Sequence, residues 1–123
     1  MYLLIDTSQK EEFYIALVSG AGKITDEKKV ASRKKHEEKL LPAIDDVLQS
    51  KGRDISSIKG IICVLGPGNF SSLRIGIVTA NSLSYALAVP SIGFSKRDDI
   101  TTKVIAQNGA RALKKKSGYQ LLE

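Results

Sequence analysis

The sequence predicts an α/β domain on a mixed five-stranded sheet. Two observations carry this. Short strand-like runs come first, and an alternation of helix-period and strand-like segments follows them. Residues 60–65, GIICVL, form a continuous apolar run of the kind found in strands covered on both faces. A chain of 123 residues, 42% hydrophobic and 26% charged, has the size and composition of one folded domain, and those fractions exclude general disorder.

The elements follow in order. YLLID at 2–6 reads as a buried strand and FYIALVSG at 13–20 as a second. AGK then turns the chain into ITDEKKVAS at 24–32, a third strand with polar alternation, so the first three strands form a meander. The next segment has helical period: Leu40, Ile44 and Val47 recur at spacings of four and three, and Leu41 and Leu48 widen the stripe. Gly52 ends that helix, as a glycine beyond the last turn should. Pro42 leaves two choices, because an interior proline removes a backbone bond: the helix begins near Glu38, or it bends. GIICVL, a second helix and VPSIGFS at 89–95 complete two crossover units, which are right-handed. Beyond Ser95, DDITTKVIAQNG at 98–109 predicts a short helix closed by Asn108–Gly109, and GYQLLE at 118–123 a short strand.

The second helix opens with a turn, GPGNFSSL. Gly66 and Gly68 allow a sharp bend, Pro67 fixes it, and Asn69 and Ser71 are both suitable N-cap residues. The same free amides could bind an anion, although the lysine of a Walker loop is missing. Turn and cap suffice to explain the residues. The helix has two apolar faces. Leu73, Ile77, Ala80, Leu83 and Leu87 form the bulkier stripe, which is expected to cover the sheet. Ile75, Val78, Ser82 and Tyr85 form the other, which needs a cover of its own: the first helix or another subunit.

Charge and cysteine content narrow the classes of function. The net charge of +6 gathers at Lys28–Lys29, Arg33–Lys35 and Lys114–Lys116. No aromatic residue interleaves with these clusters, so solvated faces and a basic tail explain them more simply than RNA contact. Residues 75–93 carry no charge but are diluted by Thr79, Asn81, Ser82, Ser84, Pro90 and Ser91, which argues against a membrane span. One cysteine, Cys63, within an apolar run, and a start without a leader pattern predict a cytoplasmic protein.

YLLIDTS, HEEKLLPAIDDVL at 36–48 and GPGNFSSLRIGI at 66–77, in this order, resemble the TsaB (YeaZ) family, the partner subunit in bacterial tRNA threonylcarbamoyladenosine synthesis. The likeness covers residues 2–95, and its glycine–proline–glycine segment is its most specific part. It implies an actin-like ATPase/sugar-kinase-type (ribonuclease H-like) half-domain at 1–95, with a mixed five-stranded sheet and two main helices. Residues 96–123 would be a short extension replacing the family's usual second domain. Ser72 stands where many members have glycine.

The resemblance further implies a non-catalytic scaffold for modification of the adenosine next to the anticodon, pairing with a homologous catalytic subunit or with itself through two helices. Leu40, Ile44, Ile75, Val78, Ser82 and Tyr85 are assigned to that interface, and tRNA would be met only indirectly. The alternative is an enzyme, either a small nucleotide-binding phosphotransferase or a degenerate glycoprotease-like protein. No cofactor is expected beyond weak ATP or ADP at a shared interface, for which Asp6, Gly66 and Gly68 are the weak candidates. Thr7 and Ser8 follow Asp6 where the superfamily's ATPases place glycine, so Asp6 is expected instead to hydrogen-bond the GPGNF turn. His36 is the only histidine, too few for the pair that holds metal in the catalytic relatives; it is expected at a helix cap or interface. Cys63 is expected to be a core residue.

Overall fold

The computed structural model describes residues 1–97, 100–119 and 122. Five strands, β1 (Tyr2–Asp6), β2 (Phe13–Val18), β3 (Ile24–Val30), β4 (Gly60–Gly66) and β5 (Ser91–Ser95), form one sheet in the order β3-β2-β1-β4-β5. β1, β2 and β3 pair antiparallel, whereas β4 runs parallel to both β1 and β5. The sheet is therefore mixed. Helix α1 (His36–Gln49) links β3 to β4, α2 (Phe70–Leu87) links β4 to β5, and α3 (Thr102–Leu113) follows β5.

The period-two alternation of the central strands sorts their side chains between two apolar layers. Leu3, Ile5, Ile15, Leu17, Ile61 and Cys63 face α1 and α2. Leu4, Ala16, Val18, Ile62 and Val64 face α3, which contributes Ile105, Ala106, Ala110 and Leu113. A strand between two helical layers must be apolar on both sides, and this is why GIICVL has no polar interruption. β3, at the edge, alternates half-buried and exposed residues and carries charge, which protects an edge from mispairing.

Several expectations need correction. α1 begins at His36, so Pro42 lies in its second turn, on the solvent side, and not in the first. The third helix does not close at Asn108–Gly109. Ala110 and Leu113 continue the apolar stripe of Ile105 and Ala106, so the helix runs on over the sheet. Residues 102–113 thus add a third main helix, which packs on the second face of the sheet. The strand expected over 118–123 lies partly outside the described residues; Gly118, Tyr119 and Leu122 are not in a strand. The tail instead returns to α2. Tyr119 meets Tyr85 edge to face at 5.4 Å between ring centres, and the Leu122 amide donates to Asn81 Oδ1 at 2.8 Å. Among the described residues no helix is long and apolar enough to cross a membrane.

Candidate functional site

The end of β1 and the start of α2 grip each other. Asn69 is the N-cap: its Oδ1 accepts from the Ser72 amide at 3.0 Å, which leaves Ser71 without that role. The Asn69 amide donates to the Ser8 carbonyl at 2.8 Å, and Thr7 Oγ1 donates to the Ser72 carbonyl at 2.7 Å. Two glycines permit this approach. A Cβ on Gly68 would stand 2.5 Å from the Ser8 oxygen, and one on Gly76 would strike Thr7 Oγ1. Gly66 adopts a φ of 138°, which a side chain would strain.

Asp6 sits at the mouth of this joint, almost wholly buried. Its Oδ1 accepts from the Ser8 amide at 3.0 Å and the Ser8 hydroxyl at 2.6 Å, and its Oδ2 accepts from Lys96 Nζ at 3.1 Å. The Lys96 amide in turn donates to the Gly66 carbonyl at 2.6 Å. The expected direct bond from Asp6 to the GPGNF turn is replaced by these links: Ser8 and Lys96 each bond both the carboxylate and the turn. Sequence reading missed Lys96, because nothing in its local pattern marks it; only the return of β5 beside β4 brings it to Asp6.

A cleft of about 380 Å³ opens beside Asp6, lined in part by Glu12, Tyr14, Glu27, Lys29 and Lys96. Its charges are spent on one another. Lys96 holds Asp6, Lys29 lies 3.6 Å from Glu12, and the Tyr14 hydroxyl donates to Glu27 at 3.1 Å. Burial first, then the Glu27 charge and hydrogen bond, push the Tyr14 phenol well above its ordinary range, so it remains a neutral donor. A triphosphate entering here would have to take both lysines from their carboxylates. With Gly68 already filled by Ser8, Asp6, Gly66 and Gly68 have a structural purpose that needs no nucleotide.

His36 is neither cap nor interface. It is buried; Nε2–H donates to the Gln9 carbonyl at 2.7 Å, leaving Nδ1 to accept from the Ser32 hydroxyl, and its ring meets Phe13 edge to face. The cap residue of α1 is Lys35, with no side-chain hydrogen bond. Cys63 is a core residue, as expected; burial, followed by the Asp6 charge, pushes its thiol up to about 12.

The outer face of α2 is the second candidate site. Val78 is 59% exposed and Tyr85 72%, and Ser82 is exposed with them; Ile75 is half-buried. Leu40 and Ile44, assigned to the same interface, are 1% and 0% exposed and belong to the core beneath α1. Their stripe is the one α1 lays on the sheet, so it is not available to another subunit. The outward apolar residue of α1 is Leu41, at 54%. Phe70 was also missed. It is exposed, carries Arg74 over its ring at 5.9 Å, and begins a stripe of four-residue steps through Arg74, Val78 and Ser82. A shallow groove of about 400 Å³ beside this stripe is bounded by Glu37, Arg74, Ile75 and Val78.

The family model described as TsaD: tRNA N6-adenosine threonylcarbamoyltransferase matches residues 25–112. The chain belongs to this family. It is 38% identical over 79 residues to the tRNA N6-adenosine threonylcarbamoyltransferase of Geotalea uraniireducens (strain Rf4), covering 64% of this chain and 22% of that protein. It is 36% identical over 84 residues to the tRNA threonylcarbamoyladenosine biosynthesis protein TsaB of Buchnera aphidicola subsp. Schizaphis graminum (strain Sg), covering 68% and 38%. YeaZ from Pseudomonas aeruginosa superposes with a TM-score of 0.68 at 31% identity, over 76% of this chain and 44% of that one. The resemblance to TsaB and YeaZ, and the fold it implied, therefore stand: this is a TsaB/YeaZ-like α/β domain corresponding to part of its relatives. The chain spans less than half the length of each.

Proposed function

We propose that the chain is a non-catalytic partner in tRNA threonylcarbamoyladenosine synthesis, docking through the outer faces of α1 and α2 on a homologous catalytic subunit or on a second copy of itself. One observation carries the reading: Leu41, Phe70, Val78 and Tyr85 present apolar surface on two packed helices, whereas the charged groups of the cleft beside Asp6 are already paired with one another. Single exposed hydrophobes are ordinary, but a row of them across two adjacent helices suits an interface. The enzyme alternatives find no comparable support. The histidine uses both ring nitrogens internally, the thiol is far from the thiolate range, and Asp6 is held by Ser8 and Lys96. In this reading any ATP or ADP bound weakly at a shared interface is incidental to the scaffold.

The test is light scattering on the chain alone and mixed with the homologous catalytic subunit from the same source. A mass increase is expected, and Val78→Asp should abolish it while circular dichroism stays native, since re-forming the contact would desolvate the new carboxylate. Full association of Val78→Asp would overturn the assigned face. ATP turnover by the isolated chain that disappears in Asp6→Asn would overturn the non-catalytic role.

A further inference from the structure

The basic residues of this chain are not equivalent. Those on the β3 side are matched by carboxylates: Lys28 with Asp46 at 3.4 Å, Lys29 with Glu12 at 3.6 Å and Lys34 with Glu11 at 3.9 Å. α3 is different. Residues 100–119 include Lys103, Arg111, Lys114 and Lys115 and no acidic residue, and none of these four is in an ion pair among the described residues. Lys103 and Arg111 lie on α3, which packs on the sheet through Ile105, Ala106, Ala110 and Leu113, and Lys114 and Lys115 follow its last turn.

The fold also supplies what the linear sequence lacks. No aromatic residue is interleaved with the basic run, yet β5 brings Phe94 and Ile92 into one groove with Asn108 and Arg111 of α3 and with Lys115 just beyond its end, a space of about 640 Å³. Phe94 and Ile92 are half-buried, with part of each side chain open to this groove. Cations, an aromatic surface and an amide lining one groove match the chemistry of a single-stranded nucleic acid: phosphates meet the cations, an unstacked base lies on the ring, and the amide reads a base edge. The charge balance favours this occupant over a neutral peptide.

We propose that the groove between β5 and α3 binds a single-stranded segment of RNA, with Arg111 and Lys115 on the phosphates and Phe94 as the stacking surface. This inference does not depend on the α1–α2 interface, because it concerns the opposite layer of the sheet.

Fluorescence anisotropy of a labelled oligouridylate with the 123-residue chain, over a salt series, tests it. Binding at low salt is expected, and the double variant Arg111→Glu, Lys115→Glu should weaken it tenfold or more. The same variant should flatten the salt dependence by about 0.7 in logarithmic slope for each phosphate no longer neutralised. Phe94→Leu keeps an apolar side chain against the sheet and should weaken binding roughly tenfold while leaving the salt slope unchanged. Lys51→Glu with Arg53→Glu makes the same change in net charge beyond the end of α1, and should cost far less. Three results would overturn the proposal: no binding at low salt, equal losses in the α3 and control variants, or equal affinity for duplex RNA. Arg111→Gln alone is exposed enough to keep the fold, so its failure to weaken binding would count against the site even if other variants were unstable.

Discussion

Ser8 shows how much one small side chain can join. Its hydroxyl and amide satisfy Asp6, its carbonyl takes the Asn69 amide, and its backbone lies where a Cβ on Gly68 would be. Gly68→Ala should therefore push the turn away from β1 and cost about 1–3 kcal/mol, as overpacking does elsewhere, measured as a lower urea midpoint. Cys63 gives a prediction with a sign. Its folded-state value of about 12 lies above the ordinary 9.0. The unfolded chain thus loses the proton first. The contribution is fully present below pH 9 and is lost as pH rises from about 9 toward 12, at up to about 1.4 kcal/mol per pH unit. The raised Tyr14 acts in the same direction at higher pH. Cys63→Ala should have a shallower alkaline decline in stability than the parent, and an equal decline in both would show that the thiol does not titrate with unfolding.

Helix α2 was legible as an element and only partly legible as a surface. Its period assigned Leu73, Ala80 and the half-buried Ile77, Leu83 and Leu87 to the sheet side, and these do pack there or line the core. Gly76 and Ser84 are buried as well, residues whose smallness carries little hydrophobic signal: Gly76 lies against Thr7, and Ser84 bonds the Val89 carbonyl beyond the helix end. Hydrophobic period cannot reveal which small residues allow an element to sit close. The same limit explains Leu40 and Ile44: period shows that a stripe exists, but not which of several partners covers it. Ala80→Asp would bury an unpaired carboxylate between α2 and the sheet and should unfold the chain, seen as loss of far-ultraviolet dichroism. On the opposite edge, Asn81 binds the Leu122 amide and carbonyl at 2.8 and 3.2 Å. Asn81→Ala should keep the fold yet speed hydrogen exchange at the Leu122 amide, whereas unchanged protection there would mean that the tail is held by other contacts.

At the scale of the whole molecule, the order of elements and the two crossovers could be read in advance because each depends on contiguous residues. The layer formed by α3 could not. Its stripe of Ile105, Ala106, Ala110 and Leu113 spans Asn108 and Gly109, a pair that locally resembles a helix stop. What overrides that stop is the exposed alternative, a sheet face of Leu4, Val18, Ile62 and Val64 that no other helix covers among the described residues. Burying Ile105 and Leu113 with Leu4 and Ile62 is worth about 1.5–3 kcal/mol for each side chain. Together that is comparable with the roughly 5–15 kcal/mol stability of an ordinary domain. α3 and the sheet should then unfold as one unit. Ala106→Glu, which forces a carboxylate into this layer, should abolish the single cooperative transition or lower it by many degrees, and the exposed neighbour variant Gln107→Glu should not. If residues beyond Ser95 were instead a separable extension, Ala106→Glu would erase only the helical signal of α3. The tertiary transition of the sheet, followed by tyrosine fluorescence, would then keep the parent's midpoint.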